Sequence, residues 1–285
     1  MGITSLQLRE LFYAHCNVRH NSDCARRYKN ITQQFRHSLG ELAATSRDLL
    51  ALNAQYKQLT RRMPEGDGSP VLIISGFLGH DRLMSNMHSF LRDIGYRTYG
   101  AQIGVNTGLN HETYDQLKTR LDEISVRNNG VAVHVIGHSL GGIYAWPLAH
   151  EHPKVRNIIS MGSPYGAAEN EDMVRAPVKA LYKFLNNEDT QKAFREKMLH
   201  YSHPPAVPVS ALYSQRDGVV HWQGSMIDDS GPLSENIDVS SSKHISMIFN
   251  RDIFEVVADR LAQSPGEWRP YQQNRRPELP TAWPA

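Results

Sequence analysis

Val131-Ala132-Val133-His134-Val135-Ile136-Gly137-His138-Ser139-Leu140-Gly141-Gly142-Ile143 is the stretch on which the fold turns. Val131 to Ile136 is short, rich in β-branched residues and apolar apart from His134, the pattern of a buried strand. From Leu140 to about Ala149 the spacing predicts a helix. Between them Gly137-His138-Ser139-Leu140-Gly141 matches G-x-S-x-G. Chance alone gives such a pentapeptide in about one chain in ten of this length, so its position between strand and helix carries the weight. A serine at the apex of so tight a turn stands exposed above the sheet. Side chains two positions either side would collide with the turn, which is why Gly137 and Gly141 are required. The helix entry then aims its free N–H groups, that of Leu140 first, at any negative charge developing beside Ser139.

Working outward, strands alternate with helices. Pro64 to Pro70 is a break, followed by an apolar strand Val71–Ser75 bounded by Gly76. A helix is expected over Leu83–Ile94, a strand over Arg97–Ile103, a loop at Gly104–Gly108 and a charged helix over Glu112–Arg127. Beyond the central stretch come strand Val155–Met161, strand Val207–Tyr213, a short strand Ile237–Ser240 and a closing helix Ile245–Leu261. This rhythm predicts an α/β fold whose mainly parallel sheet is covered by helices on both faces. The catalytic domain is expected over 70–262. Residues 164–205 interrupt it with one helix, near Val178–Leu199, flanked by Pro164, Pro177, Pro204 and Pro205. Residues 265–285 hold five prolines and read as an extended tail.

A serine hydroxyl needs a base to take its proton, and the base needs a carboxylate to orient it. On such an elbow the order along the chain is serine, acid, histidine. Asp217 lies just past strand Val207–Tyr213 and is the expected acid, although Asp-Gly is also a common turn dipeptide. Asp228, Asp229 and Asp238 are the fallbacks. Among 14 histidines only position discriminates. His244 follows the last strand and is the expected base; His221 sits in the wrong loop, His138 flanks the nucleophile and lines the site, and His134 belongs to the strand layer. The second oxyanion donor is expected from Ser75-Gly76-Phe77-Leu78-Gly79-His80, with Gly76 allowing close approach and Phe77 N–H donating.

The pairing of Ile74-Ser75-Gly76-Phe77-Leu78-Gly79 with Val135-Ile136-Gly137-His138-Ser139-Leu140-Gly141-Gly142 resembles the α/β-hydrolase superfamily, and within it the bacterial triacylglycerol lipases and related acylhydrolases. There the first loop usually reads H-G-F or H-G-L; Ser75 stands here in place of that histidine. The resemblance covers about residues 70–262. It implies a lipase- or esterase-like serine hydrolase acting on carboxylic esters, with Ser139, Asp217 and His244 as triad and Phe77 and Leu140 as oxyanion hole. It also implies that 164–205 is a cap or lid, where Met173, Val174, Ala176, Val178, Leu181, Phe184 and Leu185 either form an apolar face over the site or pack on the sheet. The former would suit an ester with an apolar acyl chain. An acyltransferase using the same triad is the alternative that motif and fold leave open. The calcium site of some such lipases cannot be placed residue by residue on this sequence, so none is carried over, and neither metal nor cofactor is expected. Trp146-Pro147 inside the post-nucleophile helix implies a kink.

Residues 1–62 contain no proline and read as a helical extension. Phe35, Leu39, Leu42, Leu49, Leu52, Tyr56 and Leu59 fall on one face. That stripe suits packing against the catalytic domain; a coiled-coil seam to a second copy or to a peripheral partner is the alternative, and with it a scaffold or membrane-associated role. A formal charge of +2 argues against nucleic acid as a partner. No apolar run is long enough to span a bilayer, and the N-terminus lacks the continuous apolar core of a signal peptide. A cytoplasmic protein with two plain thiols, Cys16 and Cys24, is the expectation.

Overall fold

All five positions of strand β1 (Pro70–Ile74) are buried, and its alternation shows why. Val71 and Ile73 enter one apolar cluster while Leu72 and Ile74 enter another, so each face of the strand meets its own layer of helices. The computed structural model describes residues 22–271 apart from 187, 202 and 228–230. β1 pairs in parallel with β2 (Arg97–Gly100) and β3 (Val133–His138). The sheet continues through β4 (Val155–Met161), β5 (Val209–Tyr213) and β6 (Ser234–Asp238), every pairing parallel. Strand order is β2-β1-β3-β4-β5-β6.

Parallel neighbours need long crossovers, and most of these contain helices. They are α2 (Ser85–Asp93), α3 (His111–Arg127), α4 (Leu140–Glu151), and the pair α5 (Ala176–Leu185) and α6 (Glu188–His200). α1 (Ser22–Arg62) precedes the sheet and α7 (Arg251–Leu261) follows it. Leu52 and Leu59 of α1, Phe90 and Leu91 of α2 and Phe254 of α7 cover one face. Tyr114 and Leu117 of α3, Tyr144 and Leu148 of α4 and Phe194 of α6 cover the other. The strand order reverses between β1 and β3, so loops leaving their carboxyl ends diverge and leave a crevice there.

Several boundaries differ from the sequence expectations. β3 begins at Val133 and runs on through His138, because its pairing with β4 extends to Met161. β2 ends at Gly100, β5 begins at Val209, and the last strand is Ser234–Asp238. The expected helix over 178–199 is two helices, broken where Asn186 adopts an extended conformation. The closing helix starts at Arg251, capped by the Asn250 side chain, and a 3₁₀ turn Ile245–Phe249 comes before it. α4 continues past Pro147 to Glu151. Residues 1–21 of the helical extension, including Cys16, lie outside the described residues, as do the Cys24 side chain, Asp228, Asp229 and the tail beyond 271. No described helix is long and apolar enough to cross a membrane.

Candidate active site

Ser139 sits at the crevice between β1 and β3, with φ +50° and ψ −117°. That sparsely populated conformation costs of order 1–3 kcal/mol for a residue with a side chain and persists only where the surroundings enforce it. They do so here by close packing. A Cβ on Gly137 would collide with the backbone nitrogen of Gly142, and one on Gly141 with the Ile74 carbonyl of β1. The two glycines thus let the strand turn straight into α4.

His244 and Asp217 arrive from the loops after β6 and β5. His244 Nε2 lies 3.0 Å from Ser139 Oγ, and Nδ1 lies 2.6 Å from Asp217 Oδ2. Asp217 can only accept at that oxygen when ionised, so Nδ1 carries the proton and Nε2 offers its lone pair to the serine hydroxyl. The second carboxylate oxygen accepts the Val219 and Val220 N–H groups at 2.7 and 2.8 Å, which fixes the plane of the acid. All three side chains are buried. Burial works to lower the His244 pKa, but the Asp217 charge, the Asp217 hydrogen bond and then the Glu41 charge outweigh it and hold the imidazole above its ordinary value.

The other candidates take different places. His138 donates from Nε2 to the His244 carbonyl at 3.0 Å, and its ring lies 5.0 Å from that of His244. Burial, then the neighbouring His244, pushes its pKa down to about 3, so it stays neutral. His134 bonds Asn157 at 2.8 Å within the sheet. His221 is exposed at the head of a short turn, and Asp238 serves its own loop by accepting from Ser240 N–H.

Leu140 is the first residue of α4, where an N–H has no acceptor within the helix. Across from it, a Cβ on Gly76 would stand 3.0 Å from Ser139 Cβ, so the loop carrying Phe77 lies against the serine. Asn106 clamps that loop. It accepts Leu78 N–H at 2.7 Å, donates its own N–H to the Gly79 carbonyl at 2.8 Å, and its side chain donates to the Ser75 carbonyl at 2.9 Å. Asn106 was hidden in sequence as one polar residue of a glycine-flanked loop. Glu41 of α1 was hidden too. It is buried, and its carboxylate reaches Gly218 and Ile245, the residues after Asp217 and His244. Its signal is faint but real: Glu41, Ala44, Asp48, Leu52 and Leu59 share the buried face, so two acids fall in phase with the apolar stripe. Among the described residues no cluster of three or more His, Cys, Asp or Glu could hold a metal ion.

No protein-family model and no curated protein matches the sequence. Solved structures do match in fold. A mature lipase of Bacillus licheniformis is 17% identical, with 70% of this chain and 94% of that one covered at a TM-score of 0.51. The esterase domain of a Rhodothermus marinus protein is 17% identical, covering 69% and 88% at 0.50. A 2,6-dihydroxy-pseudo-oxynicotine hydrolase is 17% identical, covering 70% and 62% at 0.53.

Proposed function

We propose that this chain, which has the α/β-hydrolase fold, is a serine hydrolase that cleaves carboxylic esters through an acyl-enzyme. One observation carries the reading: the relay in which Asp217 holds His244 at 2.6 Å and His244 meets Ser139 at 3.0 Å, on a strained strand-to-helix turn. His244 Nε2 takes the Ser139 proton as Oγ attacks the ester carbonyl. The carbonyl oxygen becomes an oxyanion between the Phe77 and Leu140 N–H groups. As the tetrahedral intermediate collapses, the imidazolium returns its proton to the leaving alkoxide and the alcohol departs. Water then gives a proton to His244, attacks the acyl carbonyl, and the acid leaves with Ser139 restored. Asp217 keeps the proton on Nδ1 throughout.

The acyl side is proposed to be apolar. α5 turns Tyr182 edge-on to Phe77 at 5.3 Å, while Leu78, Leu181, Phe184 and Leu185 are exposed nearby in sequence or on the same helix. Phe77 and Tyr182 flank the proposed acyl path, with 164–205 as its cap and the outward-facing Leu181 and Phe184 at its rim. Intact-mass labelling with a fluorophosphonate tests the reading. Wild type gains one adduct and Ser139→Ala gains none, while the variant keeps its fold by circular dichroism. Full p-nitrophenyl ester hydrolysis by Ser139→Ala would overturn the assignment. Added alcohol acceptors in the same assay show whether acyl transfer competes with hydrolysis.

A further inference from the structure

Two carboxylates, rather than one, act on the loops that bring the acid and base to Ser139. Glu41 of α1 is 4% exposed. Its Oε1 accepts the Gly218 N–H at 2.9 Å and its Oε2 accepts the Ile245 N–H at 3.0 Å. Gly218 follows Asp217 directly and Ile245 follows His244 directly, so one side chain ties together the backbones on which both groups are mounted. Both contacts require an acceptor, which suits an ionised carboxylate and no amide in either orientation. Gly218 leaves the space: a Cβ there would stand 2.5 Å from Glu41 Oε1.

The same face of α1 grips the histidine loop at further points. Asp48 Oδ2 accepts from Asn250 Nδ2 at 3.1 Å, and Asn250 in turn caps α7. Arg47 donates to the Ser241 carbonyl at 3.3 Å. A helix that only needed to dock could do so with its apolar residues, as Leu52 and Leu59 do further along. Burying carboxylates is costly and is offset only by specific partners. For Glu41 the partners are the loops that carry Asp217 and His244, while Asp48 is shared between Arg47 of α1 itself and Asn250.

We propose that Glu41 is a positioning residue of the active centre, whose carboxylate holds the Asp217 and His244 loops in register with Ser139 and makes α1 part of the catalytic unit. This rests on the serine-hydrolase reading above. The charged or titratable groups facing His244 are Asp217 from the β5 loop, His138 from the elbow and Glu41 from α1. Lys243 points instead towards Gly40 of α1. Of these, Glu41 is the one whose loss removes a negative charge without touching the Asp217–His244 hydrogen bond.

The test compares three variants of the full chain on a p-nitrophenyl ester. Glu41→Gln keeps the size but lacks the charge and one acceptor; a kcat lowered about 10- to 100-fold with KM little changed is expected. The acid limb of its kcat/KM profile moves to lower pH, because His244 loses a charge that favours its protonation. Gly218→Ala, which keeps the glutamate and displaces its carboxylate, shifts kcat and the limb in the same direction. Tyr56→Phe removes a different anchor of α1, the 2.7 Å bond to Asp93; it lowers Tm but leaves kcat and the limb in place. Glu41→Gln with wild-type kcat and limb overturns the inference, as does Tyr56→Phe reproducing the Glu41→Gln profile. Should Glu41→Gln not fold, Gly218→Ala decides by the same criteria. Wild type that takes no fluorophosphonate label would defeat the serine-hydrolase reading instead. NMR titration of His244, assigned by its loss in His244→Asn, then judges Glu41 alone: an unchanged His244 pKa in Glu41→Gln sinks it.

Discussion

The hydroxyl of Ser139 differs from other serine hydroxyls in what stands behind it. In the proposed reaction the His244 imidazole, 3.0 Å away, takes its proton, and the Asp217 carboxylate at Nδ1 selects the tautomer this needs. Asp217→Asn would present an amide to Nδ1, favouring the tautomer whose proton points at the serine. We expect kcat to fall by about three to four orders of magnitude, with KM nearly unchanged. Asp238→Asn, in a neighbouring loop, should cost little; if it instead matched Asp217→Asn, the acid would be misassigned. The meeting of Ser139, Asp217 and His244 was legible because each follows the carboxyl end of a strand, where chain order alone restricts the choice. Glu41 and Asn106 were not legible. Their partners lie 204 and 31 residues away, and neither belongs to a spaced motif.

At the scale of elements, β1 announced itself through an uninterrupted apolar run, because it is covered on both faces, whereas the edge strands β2 and β6 read Arg97-Thr98-Tyr99-Gly100 and Ser234-Glu235-Asn236-Ile237-Asp238 and so hid their bounds. Helix ends were harder to read because side-chain caps set them. Asn250 stops the last helix from beginning at Ile245, and Asn186 divides the expected single helix of the 164–205 segment. Asn186 donates to the Thr107 and Tyr182 carbonyls, and Tyr182 accepts the Leu109 N–H at 3.0 Å. α5 is therefore pinned to the 104–110 loop, with Leu181 and Phe184 left outward, the latter 85% exposed. If these two residues meet the acyl chain, Phe184→Ser should lower kcat/KM for a long-chain ester by about 10- to 100-fold, the worth of one buried aromatic side chain. Acetate esters should be hydrolysed as before. An equal loss on both chain lengths would place Phe184 outside the acyl path.

For the whole molecule, the sheet that positions the site also sets its response to acid. His134 and His138 stand on one strand, buried on both sides, and each keeps a ring nitrogen without a partner among the described residues. Burial, aided by Arg156, lowers the His134 pKa from 6.5 to about 4; burial, aided by His244, lowers that of His138 to about 3. The unfolded chain then takes up these protons first, so stability declines as pH falls from about 6.5 and is fully regained above it. His244 works the other way: its raised pKa favours the folded state below 6.5, and that contribution fades as pH climbs through the folded value. Burial lowers the pKa values of His88 and His150 as well, so depressed histidines outnumber it on the acid side. His134→Gln isolates one of them, because the amide can still donate to Asn157 yet never titrates. The shift from 6.5 to about 4, at about 1.4 kcal/mol per unit, corresponds to about 3 kcal/mol. The variant should therefore lose roughly 5 to 10 °C less in Tm than wild type between pH 7 and pH 4. Calorimetry across that range decides it: parallel Tm curves would mean that His134 takes its proton inside the folded sheet, and acid sensitivity would have to come from the paired carboxylates instead.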